Sequence, residues 1–157
     1  MSTSEGAYGS VEDERRIIRL LTRYNELLDT GELSLLATEV FTADAVADYN
    51  HDVLTGSRAI IDYVAESMSL FRDSAHILTN VAVRSCDGTL AEVTGAQTVW
   101  LWVNPPTERA PKNWQDFVNV FFTWDRLART PDGWRVVEHR TRVRGSAAAL
   151  VPGPVIV

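Results

Sequence analysis

The stretch Ser74-Ala75-His76-Ile77-Leu78-Thr79-Asn80-Val81-Ala82-Val83 decides the architecture. Ile, Leu, Thr and Val favour a pleated, half-buried surface, so the run after Ala75 reads as a strand. His76 opens that strand, directly after the polar turn Arg72-Asp73-Ser74, and burial of the strand sets the imidazole against the interior. Upstream, apolar residues recur at helical spacing; from His76 onward they alternate with period two. The change of period divides the chain into a helical part and a sheet.

Working outward towards the N-terminus, residues 1–10 are polar and small and read as a disordered leader. Ser10 with Asp13 resembles a capping box, and Glu12, Asp13 and Glu14 load a first helical turn with negative charge. Ile17, Ile18, Leu20, Leu21, Tyr24, Leu27 and Leu28 then predict a helix over 11–28 that stops before Gly31. Asp29 ends it, at the edge of the apolar stripe. A carboxylate is unfavourable at a helix C-terminus, and such broken local rules are more common at functional sites. Asp29-Thr30-Gly31 also reads as plain turn chemistry. Leu33, Leu36, Ala37 and Val40 predict a short second helix, broken by Phe41-Thr42-Ala43-Asp44. Residues 45–49 predict a short strand, and Asn50-His51-Asp52 a polar surface loop. Ser57 can cap a third helix, with Ile60, Ile61, Val64, Ala65, Met68 and Phe71 as its buried face.

Towards the C-terminus the predicted strands are 76–84, 90–103, 114–128 and 134–144. Cys86-Asp87-Gly88 and Thr130-Pro131-Asp132-Gly133 are hairpin signals. The connection 104–113 holds Pro105, Pro106 and Pro111 and must be a loop. The tail 145–157 is small and apolar and is expected to pack on the domain or on a neighbouring subunit. Three N-terminal helices followed by an antiparallel meander define one α+β domain over 11–144. Long strands twist and curve, so the expectation is a cone-shaped barrel: a curved antiparallel sheet wrapped by three N-terminal helices, with an apolar interior and one open mouth. Strand 90–103 carries Leu101 beside Trp100 and Trp102, apolar on both faces, which predicts a homo-oligomer, dimer or trimer, formed through the outer face of the sheet.

Composition narrows the partners. The chain has 157 residues, 45% hydrophobic and 23% charged, enough for a real core without disulfides or metal. A net charge of -6 argues against nucleic acid and anionic membranes, which call for basic patches. The single cysteine, Cys86, excludes an intrachain disulfide and fits a reducing cytoplasm. No apolar run predicts a membrane span or a signal peptide. His51, His76 and His139 are dispersed, without zinc or iron spacing, and there is no glycine-rich phosphate loop or GxSxG elbow.

The order of several short motifs resembles the SnoaL-like branch of the NTF2-like superfamily. They are Tyr24-Asn25-Glu26-Leu27-Leu28-Asp29-Thr30-Gly31, Phe41-Thr42-Ala43-Asp44-Ala45, Gly56 before the third helix, His76 on the long sheet, and Asp132-Gly133-Trp134-Arg135-Val136. Together they cover roughly 11–144. That group includes polyketide cyclases, scytalone dehydratase, bile-acid 7α-dehydratase and hexachlorocyclohexane dehydrochlorinase. The resemblance implies a cone that usually works without metal or organic cofactor. It also implies that Asp29 and His76 stand where dehydratase-like members pair an aspartate at the end of the first helix with a strand histidine. Tyr24 resembles a site-lining tyrosine, and Tyr49 falls near another, although either is equally well read as core. An arginine on the last strand often completes the site; Arg140 and Arg142 are both candidates, and His139 adds a third reading.

A carboxylate bonded to one imidazole nitrogen fixes the tautomer and leaves the other nitrogen free as a base. With no nucleophile suggested, the use is proton abstraction beside a carbonyl, or proton removal with loss of water. The expectation is a cofactor-independent lyase or isomerase. Its most specific form is a dehydratase for a small, apolar, oxygenated ring metabolite, polyketide or steroid-like. His76 is the base, Asp29 its orienter, and Tyr24, Tyr49 and Arg140 or Arg142 the polarising groups. A cyclase or epoxide hydrolase on the same cone, and a non-catalytic binding or assembly module, are the alternatives.

Overall fold

The structure, a computed structural model, describes residues 9–104 and 116–148. The expectations for most of the leader, for the proline-rich part of the loop after 104 and for 149–157 lie outside these residues.

Helix α1 (Val11–Thr30) forms because both ends are written into the sequence. The Ser10 side chain accepts from the Asp13 N–H, three acids fill the first turn, and Gly31, at φ 75°, closes the far end in the left-handed conformation that favours glycine. Its inward face carries Ile17, Leu21, Tyr24, Leu27 and Leu28. The second helix is a 3-10 turn (Leu33–Leu35) running into a π turn (Leu36–Val40). Strand β1 (Phe41–Tyr49), strand β2 (Asp52–Thr55) and helix α2 (Ser57–Met68) follow, and then β3 (Phe71–Cys86), β4 (Leu90–Val103), β5 (Phe117–Thr130) and β6 (Gly133–Ala148). No helix among the described residues is long and apolar enough to cross a membrane.

The six strands form one sheet in the order β2-β1-β6-β5-β4-β3. Four of the five pairings are antiparallel; β1 joins β6 in parallel, so the sheet is mixed. The sheet is not closed. It curls over α1, which is tied to it at several places: Asp13 near the N-terminal end takes bonds from Arg129 and Trp134, Asn25 takes one from Gln97, and Asp29 reaches β3. Ile17, Leu27, Leu36, Phe41, Ile60, Val93, Leu127 and Val136 fill the space between helices and sheet.

Several boundaries differ from expectation for identifiable reasons. The strand bearing His76 begins at Phe71, which pairs with Val103, and helix α2 ends at Met68. Arg72 and Asp73 are polar because β3 is an edge strand with exposed positions, not because the chain turns there. The run Phe41-Thr42-Ala43-Asp44 is already strand; its exposed Ala43 and Asp44 fall in an irregular part of the β1–β6 register. The short strand β2 starts inside the expected polar loop, at Asp52. Gly56, not Ser57, is the N-cap of α2. Residues 145–148, expected as tail, continue β6 against β5.

One irregularity in β6 governs what enters the cone. From the hairpin turn, Thr130 pairs with Gly133 and Leu127 with Val136; a bulge then shifts the register, so that Arg126 pairs with Glu138 and Asp125 with His139. Before the bulge the even positions Trp134 and Val136 are buried. Beyond it the odd positions His139 and Thr141 are.

Candidate active site

A cavity of about 230 Å³ lies between α1, α2 and the concave face of the sheet. Its apolar walls include Leu28, Val64, Met68, Phe71, Val99, Leu101 and Phe121, and its polar groups include Tyr24, Tyr49, Tyr63, His76, Gln97 and His139.

Asp29 sits in the last turn of α1, where the helix dipole opposes it. Three donors offset this. The His76 ring Nδ1 lies 2.5 Å from Oδ1, the Ser74 hydroxyl donates to Oδ1 at 2.8 Å, and the His76 N–H donates to Oδ2 at 2.9 Å. The edge position of β3 makes the last bond available, because alternate N–H groups of an edge strand have no sheet partner. Burial pushes the Asp29 carboxyl up, but the bonds from the His76 ring, the His76 N–H and Ser74 outweigh it and hold the carboxyl below its ordinary value. An ionised carboxylate only accepts, so the proton between the two groups sits on Nδ1. Nε2 is then the ring nitrogen not engaged by Asp29, on an imidazole that lines the cavity.

On the same cavity the Tyr24 and Tyr49 hydroxyls lie 2.8 Å apart. Burial pushes both phenols up, so both remain protonated donors. One donates to the other, and the acceptor's own proton is left to direct at a ligand. Tyr49 stacks on Tyr63 with ring centres 5.4 Å apart, and the Tyr63 hydroxyl donates to Asp52. Gln97 donates to Asn25 at 2.7 Å, a buried bond that fixes the amide on the cavity wall.

A second histidine–aspartate pair faces the same cavity. The His139 ring Nδ1 lies 2.6 Å from Asp125 Oδ1, and both side chains are 4% exposed. The imidazole packs against the rings of Tyr24 and Tyr49, each with centres 5.3 Å away. Asp125 lies behind it, on a small void shared with Leu21, Asn25, Leu78 and Thr123.

The structure therefore brings His76, Tyr24 and Tyr49 onto one cavity, with Asp29 bonded to His76 but not itself lining it, and leaves Arg140 and Arg142 outside. Simple alternation from Trp134 would turn both arginines inward; the bulge in β6 turns them out. Arg140 pairs with Glu138 and lies over the Trp124 ring, and Arg142 bonds the Asp48 carboxylate. Asp125, Gln97, Asn25 and Tyr63 were not singled out from the sequence. The signal for Asp125 is its register partner His139, which emerges only once the bulge is known.

A family model described as a SnoaL-like domain matches residues 9–140. No curated protein matches the sequence. The fold is similar to that of a candidate scytalone dehydratase from Novosphingobium aromaticivorans DSM 12444, 20% identical, with a TM-score of 0.76 over 90% of each chain. It is also similar to a type-3 hexachlorocyclohexane dehydrochlorinase from Novosphingobium barchaimii LL02, 14% identical, with a TM-score of 0.77 over 90% of this chain and 93% of that one. An NTF2-like protein with a cystatin-like fold from Novosphingobium aromaticivorans is 22% identical, with a TM-score of 0.68 over 85% and 83%.

Proposed function

The chain belongs to the SnoaL-like domain family, and on that premise we propose that it is a cofactor-independent lyase, most specifically a dehydratase for a small oxygenated ring compound. The observation that carries the reading is the Asp29–His76 bond, which leaves Nε2 of a cavity-lining imidazole as a base. His76 takes a proton from a carbon beside a carbonyl. Asp29 stabilises the imidazolium so formed, as the aspartate of a serine-protease triad does. The Tyr24–Tyr49 pair donates to the carbonyl oxygen as negative charge collects there. Acid–base work of this kind is worth on the order of 10²–10⁴-fold in rate. Arg140 and Arg142 receive no role. Two of the similar structures carry the names of eliminations, one of water and one of hydrogen chloride, which agrees with chemistry that begins by proton abstraction.

The mostly apolar walls with few polar groups suit a polyketide-type ring. About 230 Å³ lies below the ~300–1,000 Å³ of drug-sized sites, which favours one or two fused rings over a steroid skeleton. The test is a panel of mono- and bicyclic β-hydroxyketones, beginning with 3-hydroxy-1-tetralone, followed by NMR in D2O. Expected are protein-dependent exchange of the α-proton and loss of water, both slowed about 10²–10⁴-fold in His76→Ala. Binding without exchange or elimination across the panel would instead make the cavity a receptacle.

A further inference from the structure

Two carboxylate–imidazole pairs present their imidazoles to one cavity, but their carboxylates are satisfied differently. Asp29 accepts bonds from a hydroxyl and a backbone N–H besides its histidine, and its side chain is 28% exposed. Asp125 takes its one hydrogen bond among the described residues from His139, at 4% exposure. The neighbouring cations on β5 and β6, Arg126 and Arg140, both pair with Glu138 instead. The other titratable groups around His139 are Tyr24 and Tyr49, whose phenols burial keeps neutral. A carboxylate charge at that depth is costly unless a positive group meets it, and the imidazole 2.6 Å away is the group in place.

We infer that His139 carries a proton on both ring nitrogens in the resting protein, held by Asp125 as a buried ion pair, and is the general acid of the reaction for which His76 is the base. The inference deepens the dehydratase reading and rests on it. Environments that drive two similar titratable pairs into opposite states mark an acid and a base. His76 lies on β3 and His139 on β6, with β5 and β4 between them in the sheet, so the two rings reach a substrate from different sides. In a β-hydroxyketone, His76 Nε2 takes the α-proton, and the electron pair of that C–H bond forms the new C=C bond. The C–O bond breaks as the leaving oxygen takes the Nε2 proton of His139, and water departs. His76 ends with one proton more and His139 with one fewer; exchange with solvent restores both. Asp125 touches no substrate and is a positioning residue.

The test separates this acid from the dehydratase reading itself. Protein labelled with 15N-histidine is examined near neutral pH by two-bond 1H–15N correlation, in which a bare ring nitrogen resonates far from a protonated one. The chain has three histidines. His51→Gln and His76→Gln assign two of them, so that His139 is identified by elimination without being altered. The expected spectrum shows a bare Nε2 for His76 and none for His139, with a bare nitrogen appearing on His139 in Asp125→Asn. A bare Nε2 on His139 in the unaltered protein overturns the inference, whether or not any substrate is known. On a reacting member of the panel, His139→Gln should retain α-proton exchange while water loss falls about 100-fold or more; undiminished water loss overturns the acid role. A panel without exchange or elimination sinks the dehydratase reading and leaves the ion pair to stand on the spectrum.

Discussion

Asp29–His76 and Asp125–His139 make the same bond in two different places. The first joins a helix end to an edge strand, with a hydroxyl, a backbone N–H and some solvent around the carboxylate. The second joins two neighbouring inner strands, walled by aromatic rings, with both side chains 4% exposed. The bond fixes how each ring is turned; on the charges proposed above, the other donors around the carboxylate decide how much positive charge the ring must supply.

The sharpest way to break the comparison is to remove the base. His76→Ala should lower turnover by about 10²–10⁴-fold with an unchanged circular dichroism spectrum; a smaller loss would transfer the base role elsewhere. Burial supplies the next effect. Taking one partner from a buried pair costs about 3–5 kcal/mol, so Asp125→Ala should lower the denaturant midpoint strongly. Asp29→Ala, which breaks bonds to a partly solvated charge, should cost nearer 1.5–3 kcal/mol. Equal losses would remove the energetic meaning of the contrast. Asp29→Asn should reduce turnover less than His76→Ala, because an amide can hold the wrong tautomer without deleting the ring. The double variant should be no slower than His76→Ala, since the two act as a unit.

A subtler distinction lies in acid. The Asp29 carboxyl is held below its unfolded value near 3.9. Its contribution to stability is therefore full above about pH 4 and is lost as the pH falls through the folded value. Asp29→Asn should flatten the decline in melting temperature below about pH 4 and leave its slope above that unchanged. The smallest expected effect is outside the cone: Arg140→Ala should alter turnover by less than about fivefold, the scale of an exposed pair.

These two pairs were unequally legible in the sequence. Asp29 stood where a helix disfavours an acid but read also as plain turn chemistry, His76 stood on the first long period-two run, and the resemblance to SnoaL-like proteins is what joined the two. The hairpin turns at Asp87-Gly88 and Asp132-Gly133 and the capped first helix were equally plain. Asp125–His139 was hidden by one bulge. Counting straight back from the Thr130–Gly133 turn sets Asp125 opposite Glu138, two acids, and turns Arg140 and Arg142 inward; the observed shift between Arg126 and Leu127 replaces that clash with an imidazole. Periodicity does not announce a bulge. The partner of β1 was hidden for another reason: a parallel pairing leaves no turn signal, because its two strands are far apart in the chain.

That parallel seam bears on when the pocket can exist. Ala47 lies beside His139, Tyr49 beside Thr141, and the Asn50 N–H donates to the Thr141 carbonyl at 3.0 Å. Among the described residues no other strand pairing spans so much chain, and such long-range pairing forms late and slowly. On a ribosome, β1 must wait for β6 to emerge, so the tyrosine pair meets its histidine only after nearly the whole domain has been made. A nascent chain can raise the Asp29–His76 half early, but the half containing His139 must wait for the last strand of the domain.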